Sequence, residues 1–159
     1  MSSRSRTFRF ASWLTRYRAG VYFFRYVWTP FDKLVLKLTG GRHGAAPKLI
    51  PELVLTTTGR RSGEPRSNPV LYLEEDGAFV VIGSNYGRKH HPAWTYNLTA
   101  NPAATIRIGD REDAVRARRA TPEEFESYWP RFIGVWAGWK TYRRMTDREF
   151  RMFVLEPTG

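Results

Sequence analysis

The densest concentration of reactive side chains is Thr56-Thr57-Thr58-Gly59-Arg60-Arg61-Ser62-Gly63-Glu64-Pro65-Arg66. A β-branched run enters a turn holding two glycines, three arginines and several hydroxyls. Glycine lets backbone N–H groups face an anion, arginine offers a fork matched to phosphate or carboxylate, and Ser or Thr adds short hydrogen bonds. Three arginines within seven residues favour a polyanionic ligand over a merely solvated hairpin. Other chemistries find little support. The chain has no G-x-G-x-x-G, no phosphate-binding G-x-x-x-x-G-K-[ST] and no G-x-S-x-G, since Ser62 stands one place too late. His43, His90 and His91 form no His-x-x-x-His pair, and no metal site is expected. A Ser–His pair stays open in principle, because geometry and not chain order defines it. Cysteine is absent, which removes disulfides, thiolate metal sites and a thiol nucleophile, and fits a reducing compartment.

The elements that must position this turn follow from periodicity. Residues 49–58 are apolar and β-branched, and residues 68–74 and 78–83 flank Asp76-Gly77, a strong hairpin signal. Residues 104–108 and 113–120 flank Gly109-Asp110, and residues 150–155 read as a last strand. A short helix is predicted over 92–100, and a Thr121-capped helical region runs from 121 to about 144. Helices, three strands, a helix, two strands, helices and a strand make an α+β fold, a mostly antiparallel barrel with flanking helices. With 159 residues this is one domain of ordinary size, and strands that do not alternate with helices argue against a doubly wound nucleotide fold.

Charge divides the chain unevenly. The formal net charge is +11, yet residues 1–48 hold ten basic side chains against Asp32 alone. The remainder, with 16 basic and 14 acidic side chains, is nearly balanced. In the basic part, Phe10, Trp13, Leu14, Tyr17, Val21, Phe24 and Trp28 recur at helical spacing, with Arg9, Arg16 and Arg25 elsewhere on the wheel. Residues 1–28 are therefore predicted to be an amphipathic helix suited to an anionic membrane interface or to packing on the domain, and the two can coexist. Arg18 and Arg25 interrupt any signal-peptide core, and no apolar run is long enough to span a bilayer. Next, Thr29 is expected to cap a helix with Pro30 in its first turn, an apolar stripe of Phe31, Leu34, Val35 and Leu38, and Gly40-Gly41 at its end.

Five blocks in order give the chain a family resemblance. They are Leu38-Thr39-Gly40-Gly41-Arg42-His43-Gly44, residues 53–66, Gly83-Ser84-Asn85-Tyr86-Gly87, His91-Pro92-Ala93-Trp94 with Asn97-Leu98 and Ala100-Asn101-Pro102, and Tyr142 with Thr146-Asp147-Arg148. From about residue 29 to the C-terminus the chain closely resembles the deazaflavin-dependent nitroreductases and quinone reductases that use reduced coenzyme F420. The resemblance implies a split β-barrel of the type shared with flavin-binding oxidoreductases, spanning 29–159. It implies that Thr57, Thr58, Gly59, Arg60, Arg61, Ser62, Gly63 and Arg66 hold the cofactor's phosphate and oligoglutamate tail. Pro69 and Leu71 are then expected along the deazaflavin, with Ile82, Gly83, Ser84, Asn85 and Gly87 around its ring end. Trp94, Asn97, Asn101 and Pro102 belong to the helix that backs the site.

On this reading the cofactor supplies a hydride to a quinone or nitroaromatic acceptor while the protein orients both and stabilises charge on the acceptor's oxygen. Ser84 and Tyr142 are the expected hydrogen-bond donors and proton sources. Trp136 and Trp139 stand where nitro-reducing members tend to show Tyr, so aromatic walls survive but two hydroxyls are lost. A flat quinone stacked between Trp faces fits this better than a bicyclic nitro drug. The expected enzyme is cytoplasmic, peripheral on the inner face of the membrane through residues 1–28, and monomeric or weakly oligomeric. FMN in place of F420 is the nearest rival cofactor. A non-catalytic membrane- or nucleic-acid-binding module is the rival from another class, and the balanced charge after residue 48 counts against nucleic acid.

Overall fold

A computed structural model describes residues 10, 12–40 and 50–159; residues 1–9, 11 and 41–49 lie outside the described residues, with Gly41, Arg42, His43 and Gly44 among them. Six antiparallel strands close a barrel in the order β1-β2-β3-β6-β5-β4. They are β1 Glu52–Thr58, β2 Pro65–Glu75, β3 Ala78–Gly83, β4 Ala103–Ile108, β5 Arg111–Arg119 and β6 Arg151–Pro157. The helices are α1 Arg18–Phe23, which runs through a π-helical stretch Phe24–Trp28 into α2 Thr29–Leu38, then α3 Ala93–Ala100, α4 Pro122–Val135 and α5 Gly138–Arg144. The α+β barrel expected from the sequence is the fold. Asp76 and Gly77 both take positive φ (48° and 81°), the conformation that lets a two-residue turn follow the twist of β2 and β3.

Strand alternation sorts the apolar residues into two layers. Leu53, Leu55, Phe79, Val81, Ile106, Val115, Phe153 and Leu155 fill the barrel, which Trp94 and Leu98 of α3 plug. Leu73, Val80, Ile82, Met152 and Val154 point outward and are covered by Val21 of α1, Tyr128 and Phe132 of α4, and Trp139 and Tyr142 of α5. The strands β3 and β6 are buried on both faces, which is why they read as continuous apolar runs.

Three local expectations are corrected. The helical region after Thr121 begins with a capping box, Thr121 with Glu124, but breaks at Trp136, whose backbone is extended. The break receives the N-terminal segment: the Ala137 N–H donates to Ser12 Oγ (2.8 Å), and a Cβ on Gly138 would sit 2.6 Å from Thr15 Oγ1. Thr29 is no cap, because the chain is already helical at Trp28; its hydroxyl bonds the Phe24 carbonyl and Tyr86 Oη instead. The α2 stripe also faces the other way: Phe31, Leu34 and Leu38 are 52%, 52% and 77% exposed, while Asp32 (4%) and Leu36 are buried.

The N-terminal stripe divides in the same manner. Phe10, Trp13 and Tyr17 are exposed, the helix is interrupted over residues 15–17, and Val21, Phe24 and Trp28 turn toward the domain. Phe24 meets Trp136 edge-on at 5.2 Å. The N-terminal segment is thus part of the wall of the domain as well as its outer surface.

Candidate active site

Between α2, the β1–β2 turn and the start of α3 lies an open groove of about 880 Å³. Arg60, Arg61, Ser62, Arg66 and Asn97 line it from the barrel side, and Lys33 and Lys37 of α2 from the other. Among the described residues none of these five cations is paired with a carboxylate; the ion pairs lie elsewhere on the barrel and on α4. The two lysines were missed by sequence reading because they come from a separate element whose exposed stripe looked like its inner face.

The turn is built differently from the sequence expectation. The N–H groups of Gly59 and Gly63 do not point into the groove; they close the turn on Glu64 O and Gly59 O, both at 2.7 Å. Gly63 is needed for its φ of +71°. The Arg60 N–H donates to Asn97 Oδ1 (3.1 Å), and Asn97 Nδ2 donates to the buried Thr57 hydroxyl (3.0 Å). Thr57 and Asn97 are therefore the buttress that ties the turn to α3. Anion-binding capacity rests in the side chains: Arg60 stacks on Tyr96 at 4.6 Å, and Arg66 reaches back to Ser62 Oγ (3.5 Å). Thr58 and Gly63 do not line the groove.

Lys33 and Asn68 also border a second, more enclosed cavity of about 200 Å³. The register explains its floor. Glu52 pairs with Leu71 and Val54 with Pro69, so these four side chains share the outer face of β1 and β2. The predicted residues Pro69, Leu71, Ile82, Gly83, Ser84, Asn85, Trp94, Trp136, Trp139 and Tyr142 all line this cavity. Gly87 does not; its place is behind the wall, where a Cβ would lie 2.5 Å from Tyr142 O. Phe24, Trp28, Thr29 and Asp32 roof the cavity from above. The structure thus brings together nearly all the residues expected around a ring, with a helical roof that sequence spacing did not reveal.

Asn85, Tyr86 and Gly87 all adopt positive φ (48°, 53° and 69°) at the cavity's end, a strained turn for two residues with side chains. Arg148 over-determines it. Its guanidinium donates to Ser84 O (2.6 Å), Gly83 O (3.2 Å) and Arg88 O (3.1 Å), and bonds His91 Nδ1 (2.8 Å). Burial, then the charges of Arg148, Arg151 and Arg119, push His91 down to about 4, so its neutral ring accepts from Arg148. Arg148 stood in the recognised Thr146-Asp147-Arg148 block, but its reach to a loop 60 residues away leaves no mark in spacing.

Several polar groups face the cavity. Ser84 is buried, and Tyr142 Oη accepts from Trp136 Nε1 at 3.0 Å, keeping its own hydrogen to donate. Burial drives Tyr142 far above the usual phenol range, so its hydroxyl keeps its hydrogen at neutral pH. Tyr86 Oη bonds Thr29 Oγ1 at 2.5 Å. Burial, followed by the charge of Asp32, raises the Glu52 carboxyl to about 8. Trp139 Nε1 is buried without a partner among the described residues.

A cation-lined groove beside an aromatic cavity fits a cofactor with an anionic tail and a heterocyclic ring. Unpaired arginines and lysines suit phosphate and glutamate carboxylates, and the Pro69–Leu71 floor suits a deazaflavin face. The comparisons agree with this donor set. Residues 30–157 match the family model described as F420H(2)-dependent quinone reductase. The chain is 30% identical over 126 residues to F420H(2)-dependent quinone reductase Rv1261c of Mycobacterium tuberculosis, covering 74% of this chain and 81% of that protein. Rv3178 of the same organism, named for the same activity, is 32% identical over 110 residues, 69% of this chain and 92% of its own length. A solved F420-H2 dependent reductase, FDR-A, superposes with a TM-score of 0.61 at 33% identity, covering 67% of this chain and 94% of that one. These matches favour neither FMN nor a non-catalytic module: the chain belongs to the F420H(2)-dependent quinone reductase family, oxidoreductases whose cofactor is reduced coenzyme F420.

Proposed function

We propose that the groove grips the phosphate and oligoglutamate tail of F420 through Arg60, Arg61, Arg66, Lys33 and Lys37, while the ring lies on Pro69 and Leu71 in the adjoining cavity. The observation that carries this reading is that the two spaces adjoin, with Lys33 and Asn68 in the walls of both, so an anionic handle and a ring have neighbouring beds. The bound cofactor supplies the hydride. Ser84 and Tyr142 then orient the acceptor and donate hydrogen bonds to the oxygen on which charge develops. Arg148 holds the Ser84 carbonyl and so fixes the hydroxyl's position, and Trp136 and Trp139 form the wall on which a quinone stacks. A quinone suits two indoles better than a nitroaromatic that would draw on further hydroxyls.

The outer surface supports peripheral membrane docking. Phe10, Trp13, Tyr17, Phe23, Val27, Phe31, Leu34 and Leu38 are exposed, with Arg16, Arg18 and Lys37 exposed beside them. No helix among the described residues is long and apolar enough to cross a bilayer. An aromatic stripe flanked by cations matches a segment that lies in an anionic interface, where a lipid-soluble quinone is also found. Deleting residues 1–28 is a poor test, because Val21, Phe24 and Trp28 belong to the domain's wall. Titration of the purified protein with F420, followed by fluorescence, tests the central reading: no change at micromolar protein refutes it. Oxidation of reduced F420 against a panel of quinones and nitroaromatics then tests the acceptor preference.

A further inference from the structure

The cavity contains an acid that neither the hydride donor nor the hydroxyls account for. Glu52 opens β1 on the cofactor-facing side, directly beside Leu71 in the ladder. Side chains opposed in this way lie about 5 Å apart, so Glu52 borders the floor on which the ring is placed. Asp32 reaches the same cavity from α2 and is one of its most buried groups. Burial and a second carboxyl in the same cavity both disfavour the ionised form of a carboxyl.

We propose that Glu52 is the acid that protonates the acceptor, a carboxylic acid held neutral beside Asp32 and used as a proton donor during quinone reduction. This rests on the reading of the cavity as the ring and acceptor site. In the step, the hydride and its electron pair reach the quinone from the reduced cofactor, giving a hydroquinone anion. The Glu52 O–H bond breaks, its proton forms the new O–H bond on the acceptor oxygen, and the carboxylate left behind regains a proton from water through the open groove. Each turnover moves one hydride and one proton to the acceptor, and the enzyme ends as it began.

The surroundings favour this role over Tyr142 or Ser84. With a carboxyl raised to about 8, Glu52 is protonated at neutral pH yet releases its proton readily, whereas Tyr142 is pushed far out of reach. Among the described residues, Asp32 and Lys33 on α2, Tyr86 in the turn after β3 and Tyr142 on α5 share the cavity with Glu52, and Arg88 acts on the Tyr86 hydroxyl. Burial sets the direction and Asp32 adds to it, and Tyr86, itself raised by burial, stays neutral throughout the same range.

Glu52→Gln tests the proposal, since it keeps the shape and a donor N–H but has no proton to give. The expected result is unchanged F420 binding by fluorescence titration with kcat lower by about 100-fold, the low end for a lost general acid. Wild-type activity is expected to fall above about pH 8, and the variant to lack that alkaline limb. A second readout needs no cofactor. A carboxyl that holds its proton more tightly when folded loses stability as pH climbs from the ordinary Glu value toward about 8. The Tm of Glu52→Gln should therefore gain on wild type steadily from pH 5 to 8.5. Parallel Tm curves overturn the neutral-acid assignment, and a variant with wild-type kcat and alkaline limb overturns the proton-donor role. Failure of the wild-type protein to bind F420 overturns the cofactor reading and, with it, this one.

Discussion

The groove and the cavity adjoin, yet they are opposites in every physical respect. The groove is open and cationic, and its arginines are exposed. The cavity is small, aromatic and roofed by a helix, and it holds the buried Asp32 and the half-buried Glu52. The contrast separates two tasks. Long, hydrated side chains hold an anionic tail by charge without fixing it closely, so they set affinity. Desolvated groups on packed elements hold the reacting atoms, so they set rate.

The largest effect expected from breaking this division is in the groove. Arg60→Ala combined with Arg61→Ala removes two charge-assisted contacts worth roughly 1.5–3 kcal/mol each. The F420 dissociation constant should rise by about 100-fold or more, while kcat at saturating cofactor stays near wild type. If kcat falls in parallel, the tail and the ring are not handled independently. Asn97→Ala should weaken binding by the same route to a lesser degree, because it unties the turn without removing a cation.

Glycine substitutions contrast the rigidity of the two regions. Gly63 in the groove turn and Gly87 behind the cavity both have positive φ. A Cβ on Gly63 meets open space, whereas one on Gly87 would press on Tyr142 O at 2.5 Å and Met145 Cβ at 2.9 Å. Gly63→Ala is expected to cost about 1 kcal/mol by denaturant unfolding, and Gly87→Ala about 3 kcal/mol, since strain and overpacking add. Equal costs would mean that the cavity wall gives as freely as the exposed turn. Within the cavity, Ser84→Ala should lower kcat with a quinone about tenfold and leave F420 affinity alone, the loss of one hydrogen bond that strengthens as charge develops.

The groove was legible in the sequence and the cavity only in part, for a physical reason. Arg60, Arg61, Ser62 and Arg66 fall within seven residues, so a turn signal and side-chain chemistry sufficed to find them. The barrel strands were legible too, because Asp76-Gly77 and the apolar runs of β3 and β6 obey local rules. The cavity draws on the π-helical stretch, α2, β1, β2, β3, α3 and α5; Glu52 and Asp32 enter it through register and helix face, and Arg148 braces its end turn through long reach. The roof deceived the periodicity argument outright. Phe31, Leu34 and Leu38 mark a helical face correctly, but periodicity says only that a face exists, not what covers it. In α2 the buried side is chosen by the site, which takes Asp32 and Leu36 inward and leaves the apolar stripe outside.

That inversion yields the smallest expected effect on stability and the most direct test of the membrane surface. Phe31→Ser, Leu34→Ser and Leu38→Ser together alter side chains that are more than half exposed, so the sum should remain within about 1 kcal/mol of wild type in urea unfolding. A matched change on the inner face, Leu36→Ala, should cost about 2–4 kcal/mol because it empties packed space. Sedimentation with anionic phosphatidylglycerol vesicles should fall sharply for the triple variant, with F420 affinity untouched, because Lys33 and Lys37 remain in place. Undiminished sedimentation would leave the exposed stripe without a partner and the basic side chains as the whole of the attraction. A loss of cofactor affinity instead would mean that the outer face of α2 shapes the groove, and that roof and surface cannot be separated.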